Sequence, residues 1–158
     1  MKIGVVTAQF NSEVTSKLEQ GALSQLRKSG LKDSQIKAVH VAGAYEIPLA
    51  AKALLQAGYD GVVALGAVIR GDTAHFDYVC NSVERGCTLL QLEFTKPVAF
   101  GVLTTDNDEQ ALARAGGAHG NKGAEAAQVA LEMIELLKEI KGNSNKPRRK
   151  NGSNRSKK

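Results

Sequence analysis

Residues 61–69, GVVALGAVI, restrict the fold more than any other stretch. A strand with one wet face alternates apolar and polar side chains, whereas this run is apolar from end to end. It is bounded by Asp60 and Arg70, so it has the length of a strand rather than of a buried helix. A strand buried on both faces belongs inside a parallel sheet with helices packed on either side.

The rest of the chain supplies the other parts. Ile3–Ala8 is a short, β-branched apolar run and reads as the first strand. Asn11 or Ser12 can cap the helix that follows. In that helix Val14, Leu18, Ala22 and Leu26 recur every four residues, and Gly30 ends it. Ile36–Val41 alternates and reads as a strand with His40 on its more polar face. A helix over Ile47–Leu55 leads to the central strand, and another spans Tyr78–Phe94. Pro97–Leu103 is a fourth strand, with its proline at the start, where a missing donor is tolerated. Asn107 caps a short helix, with Gln110 placed to close a capping box. A last helix covers about Ala124 to Ile140 and turns Ala127, Ala130, Leu131, Ile134, Leu137 and Ile140 to the core.

Strands alternating with helices predict a three-layer α/β/α sandwich with a four-stranded parallel sheet, flavodoxin-like in its winding. Open parallel sheets bind ligands beyond the carboxyl ends of their strands. The segments there are Gln9–Asn11, Ala42–Pro48, Arg70–His75 and Thr104–Asn107, and the first three hold the most reactive side chains of the chain.

The formal charge of +5 belongs to the end of the chain. From Lys141 onward there are eight Lys and Arg and no acid. Without those eight, 13 basic residues face 16 acidic ones, a net of −3. The expected organisation is one domain over residues 1–142 and a disordered basic tail over 143–158. The tail suits nucleic acid or another polyanion, and suits a solubilising extension equally well. No apolar run reaches the ~20 residues that span a bilayer, and the N-terminus does not read as a signal peptide, so no membrane partner and a cytoplasmic location are expected. Cys80 and Cys87 lie about two helical turns apart, too far to bridge, and read as small apolar residues. No further ligand is spaced for zinc.

Each candidate site residue also has a plain explanation. Gly71-Asp72-Thr73-Ala74 before a helix can cradle an anion, with Thr73 offering a hydroxyl and Asp72 its backbone. By itself the segment is more simply a capped helix start. His75 is placed for acid–base work at the mouth of the sheet; His40 and His119 have weaker contexts. Arg70-Gly71-Asp72 spells an adhesion tripeptide by coincidence. Ala115–Ala127 is glycine-rich but lacks the order of a P-loop. Arg114 can fork onto a phosphate or simply end a helix. Phe10 can stack on a planar ring or staple the first helix, and Phe100, inside a strand, is core by default.

Taken together, QFN at 9–11, GAYEIP at 43–48, LGAVIRGDTAHFDYV at 65–79, PVAFGVLTTDN at 97–107 and RAGGAHGNKGAEAA at 114–127 resemble the lumazine synthase family over roughly residues 2–142. The resemblance implies a condensation of 5-amino-6-(D-ribitylamino)uracil with 3,4-dihydroxy-2-butanone 4-phosphate. The product is 6,7-dimethyl-8-ribityllumazine, with phosphate and water released, in the penultimate step of riboflavin biosynthesis. It implies two small-molecule substrates, no metal and no organic cofactor. Phe10 then stacks on the pyrimidine. Ala44, Tyr45, Glu46, Ala67, Val68 and Ile69 hold the ring and ribityl chain. Asp72 and Thr73 contact the phosphate side of the butanone, and His75 donates the proton. Phe100 and Arg114 match residues that reach in from a neighbouring subunit, one to the pyrimidine and one to the phosphate.

The family also implies a homopentamer, in some members twelve pentamers in a 60-subunit cage, and admits riboflavin synthase as a partner. The short connection around Gly116–Lys122 is similar to that of cage-forming members. Tyr45 stands where phenylalanine is common, and Ala118 where many members carry lysine, with His119 beside it. Two other readings stay open: a carrier shell whose basic tails hold a polyanion, and a flavin- or nucleotide-binding module.

Overall fold

The computed structural model describes residues 1–144. Four parallel strands form the main sheet: β1 (Ile3–Ala8), β2 (Ile36–Val41), β3 (Gly61–Ile69) and β4 (Val98–Thr105), in the order β2-β1-β3-β4. Between and after them come α1 (Ser12–Lys28), α2 (Ile47–Gln56), α3 (His75–Phe94), α4 (Asp108–Ala113) and α5 (Lys122–Ser144). A small hairpin of β5 (Ala115–Gly117) and β6 (Gly120–Asn121) joins α4 to α5.

Two cores flank the sheet. Ile3, Val5, Val63, Leu65, Ala67, Ala99 and Leu103 face Val14, Leu18, Ala22 and Leu26 of α1 and Ala126, Ala127, Ala130, Leu131 and Ile134 of α5. Val6, Ala8, Val62, Ala64, Val98 and Val102 face Ile47, Ala51, Leu54 and Leu55 of α2 and Val83, Cys87 and Leu90 of α3. Neighbouring residues of β3 therefore point into opposite cores, the geometry expected of its unbroken apolar run. This is the α/β/α sandwich with a parallel, flavodoxin-like sheet read from the sequence.

Several boundaries and side chains differ from expectation. α3 starts at His75, three residues before Tyr78; no capping side chain marks that start in the sequence. β4 runs past Leu103 to Thr105, paired with Val68 and Ile69 of β3. Asn107 does accept from the Gln110 amide at 2.8 Å, but Gln110 reaches back to the Asp106 N–H at 2.9 Å, one residue outside a capping box. α5 starts earlier than Ala124 because Asn121 Oδ1 accepts from the Ala124 amide at 3.0 Å. Its apolar stripe leaves the core before its end, and Ile140 is exposed. The expected basic tail lies outside the described residues from position 145 onward. Among the described residues no helix is long and apolar enough to cross a membrane.

α5 crosses α1 at Gly123, where a Cβ would collide with the main chain of Leu18. Asn121 Nδ2 donates to the Lys17 carbonyl at 2.9 Å beside this crossing, so neither helix is free to slide away. We expect Gly123→Ala to cost at least the ~1–3 kcal/mol typical of overpacking, read from the denaturant midpoint at unchanged slope.

Both cysteines are free. Burial and, secondarily, Glu84 push the Cys87 thiol from 9.0 up to about 12. Between those values the unfolded chain has lost a proton that the folded chain keeps, so stability falls as pH rises. The slope approaches ~1.4 kcal/mol per pH unit for one such group. Chemical denaturation between pH 8.5 and 11 should show this decline, and Cys87→Ala should flatten it.

Candidate active site

The strand order reverses direction between β1 and β3, since β2 lies on one side of β1 and β3–β4 on the other. A cavity of about 570 Å³ opens beyond the carboxyl ends of these strands. It is lined by Phe10, Gly43, Ala44, Tyr45, Glu46, Ala67, Val68, Ile69, Gly71, Thr73, His75, Phe76 and Val79. Three segments far apart in the chain meet there because the parallel strands all end on the same side.

Phe10 is placed by main-chain bonds. Gln9 and Phe10 donate to the Val41 and Ala42 carbonyls at 2.8 and 3.0 Å, extending β1 along β2. Asn11 then turns into the left-handed region at φ 61°, a conformation asparagine tolerates better than most residues. It does not cap α1 with its side chain. Its Nδ2 donates instead to the Ala67 carbonyl at 2.8 Å, tying the exit of β1 to the end of β3, while its own carbonyl accepts from Val14 and Thr15. Phe10 is 72% exposed and lines the cavity, so it is no staple buried against α1.

The second segment is a 3₁₀ turn over Ala44–Glu46. Ala44 is buried, and the Glu46 carboxylate accepts from the Gly43 N–H at 3.0 Å, which fixes the turn. Tyr45 stands 64% exposed on its rim.

The third segment is the loop from Gly71 into α3. Ala74, not Asp72 or Thr73, occupies the cap position, and no side chain caps it. The Thr73 hydroxyl accepts from the His75 N–H at a long 3.4 Å. His75 is the first residue of α3 and its side chain reaches the cavity. Asp72 is exposed and does not line it.

Two expected residues sit elsewhere on the chain. Phe100 is not core; it is 44% exposed on the open edge strand β4. Arg114 ends α4, where its Nη1 donates to the Gln110 carbonyl at 2.9 Å, outside the cavity lining. Ala118 and His119 lie exposed where β5 turns into β6, and the Lys122 ammonium is paired with Glu125. Gly71, expected as part of an anion cradle, lines the cavity, whereas sequence reasoning missed Gly43, Phe76 and Val79 as lining residues. Val79 stands four residues after His75 and three after Phe76, the spacing of neighbours on a helix surface, but with a helix expected only from Tyr78 this pairing is not visible in the sequence.

Electrostatically, the cavity is unbalanced. Its wall carries the Glu46 carboxylate and no lysine or arginine. Arg70, next to the cavity, is committed to Asp106 at 3.0 Å and Asp77 at 3.8 Å. Among the described residues no cluster of His, Cys, Asp and Glu is arranged to hold a metal ion.

The family model for 6,7-dimethyl-8-ribityllumazine synthase matches residues 1–138. A 6,7-dimethyl-8-ribityllumazine synthase of Bdellovibrio bacteriovorus is 65% identical over 140 residues, which are 89% of this chain and 77% of that one. One from Coxiella burnetii is 54% identical over 140 residues, 88% of this chain and 93% of that one. A match of that length, running through all three segments that wall the cavity, establishes that the chain belongs to the 6,7-dimethyl-8-ribityllumazine synthase family.

Proposed function

We propose that the cavity at the β1/β3 reversal is where this enzyme condenses 5-amino-6-(D-ribitylamino)uracil with 3,4-dihydroxy-2-butanone 4-phosphate to give 6,7-dimethyl-8-ribityllumazine, phosphate and water. The observation that carries the reading is the meeting of Phe10, Tyr45–Glu46 and Thr73–His75 around one largely apolar cavity in a chain of this family. Phe10 offers its exposed ring to the planar pyrimidine. Ala44, Tyr45 and Glu46, with Ala67, Val68 and Ile69, hold the ring and the ribityl chain. The pyrimidine amine attacks the ketone and loses water to form an imine. Removal of the C3 proton expels phosphate from C4 and leaves an enol, which tautomerises to a new ketone at C3. The ribityl-bearing nitrogen closes the ring on that ketone with loss of a second water. Each step moves a proton, and His75 is the imidazole within reach, worth ~10²–10⁴-fold. Holding two substrates together supplies much of the rest.

The phosphate needs a cation that this cavity does not contribute from its own wall. Thr73 and the backbone at Asp72 offer hydrogen bonds only. Arg114 of a neighbouring copy supplies the charge, and Phe100 of that copy covers the pyrimidine. Its exposure on the open edge of β4, together with exposed Leu49, Tyr78, Leu89 and Leu92 on α2 and α3, supports a subunit interface. Such a head-to-tail contact closes into a ring, here a homopentamer, with a 60-subunit cage as the larger assembly. Riboflavin synthase is the partner that would take the product, and the cytoplasm is the proposed location. The basic tail is a separate element, which either holds a polyanion or keeps the assembly soluble.

Turnover is followed by product absorbance. We expect His75→Ala to slow kcat by ~10²-fold or more. Arg114→Ala should raise KM for the phosphate-bearing ketone about 10–100-fold, the worth of one charge-assisted contact. Co-refolding the two impaired variants in equal amounts, and assaying with the ketone well below the raised KM, should restore about a quarter of wild-type activity. In a closed ring, one interface in four pairs an intact His75 with an intact Arg114. No recovery from an assembled mixture would mean that both residues act within one subunit.

A further inference from the structure

We infer that Arg70 is a positioning residue that holds the first turn of α3, and His75 with it, over the cavity; the inference rests on the function proposed above. α3 begins without a capping side chain, and the loop 71–74 before it is exposed. The long bond between Thr73 and the His75 N–H does not anchor that loop to the rest of the fold.

Arg70 does. Its main-chain N–H donates to the Thr105 carbonyl at 2.8 Å, joining the ends of β3 and β4. Its Nε donates to Asp106 Oδ1 at 3.0 Å, at the start of the β4–α4 connection. From that anchored end the guanidinium reaches forward to α3. Nη1 lies 3.8 Å from Asp77 Oδ1, and Cζ stands 4.3 Å above the centre of the Phe76 ring. Phe76 and Asp77 are the two residues directly after His75.

An exposed ion pair is worth little in stability. One planar group held by two carboxylates and a ring face, on a residue whose own N–H is fixed to Thr105, still sets direction, because the guanidinium fork has few orientations that satisfy all three contacts. Asp77 in the first turn is also favoured by the helix dipole, so the link strengthens the end of α3 that needs it. The two carboxylates neutralise Arg70, which leaves it a brace and not an anion-binding group.

The test compares Arg70→Met, Arg70→Lys and Asp77→Asn in the assembled enzyme, in wild-type and His75→Ala backgrounds. We expect Arg70→Met to lower kcat about tenfold, within the penalty for misplacing a reacting group, with KM changed less than about twofold. Arg70→Lys should recover part of the loss, because it keeps the charge without the fork. Asp77→Asn, which leaves Arg70 and its anchor in place, should lower kcat a few-fold and decides the matter if Arg70→Met fails to assemble. In the His75→Ala background the same changes should cost nothing further, since a brace for an absent imidazole has no work left. An equal loss in both backgrounds, a raised KM for the phosphate-bearing ketone at unchanged kcat, or wild-type rates throughout would each overturn the inference. Wild-type turnover, read in the same assay, tests the proposed function separately.

Discussion

Burial of β3 on both faces is the constraint on which the rest of the molecule depends. Val62 to Ala67 offer no polar side chain to water, so both faces need a helical cover. α1 and α5 provide one and α2 and α3 the other. Strands separated by covering helices run parallel, and parallel strands bring every outgoing loop to one end of the sheet. Phe10, Glu46 and His75 share a cavity for that reason, although up to 65 positions separate them in the chain.

The second constraint is charge. A phosphorylated ketone calls for a cation, yet no lysine or arginine lines the cavity, and Arg70 beside it is paired with Asp77 and Asp106. What the chain does show is an arginine and a phenylalanine, Arg114 and Phe100, outside its own cavity, the second on an open sheet edge. The two facts answer each other if the cavity of one copy is finished by the next. Binding and assembly are then one problem, and the exposed apolar side chains on α2, α3 and β4 belong to its solution.

The sheet was legible because strand burial leaves a plain mark. Gly61–Ile69 matched at both ends, and Val14, Leu18, Ala22 and Leu26 are all buried as their spacing required. Helix starts were less legible. His75, Phe76 and Asp77 show no amphipathic period and no cap, and what precedes them is an alanine at the cap position. The β5–β6 hairpin is too short to have a period, and its glycines read as a loop. Phe100 reads as core only by default, because a phenylalanine inside an apolar strand carries no sign that the strand lies at an edge; the family resemblance, not the local pattern, is what sets it outward. Asn11 looked like a cap from its place before a helix, but its amide found the Ala67 carbonyl, a partner 56 positions away that local pattern cannot reveal. The tie between Arg70 and α3 was hidden for the same reason: in sequence Arg70 is only the charge that ends a strand.

The claim that each cavity is completed by a neighbouring copy is tested most directly by an experimental structure of the assembled enzyme with inorganic phosphate bound. Phosphate is expected within hydrogen-bond distance of Thr73 from one copy and Arg114 from the next, with Phe100 of that second copy at the cavity mouth. Phosphate held by Thr73 and Arg114 of the same copy, or an assembly that leaves Phe100 in solvent, would contradict it.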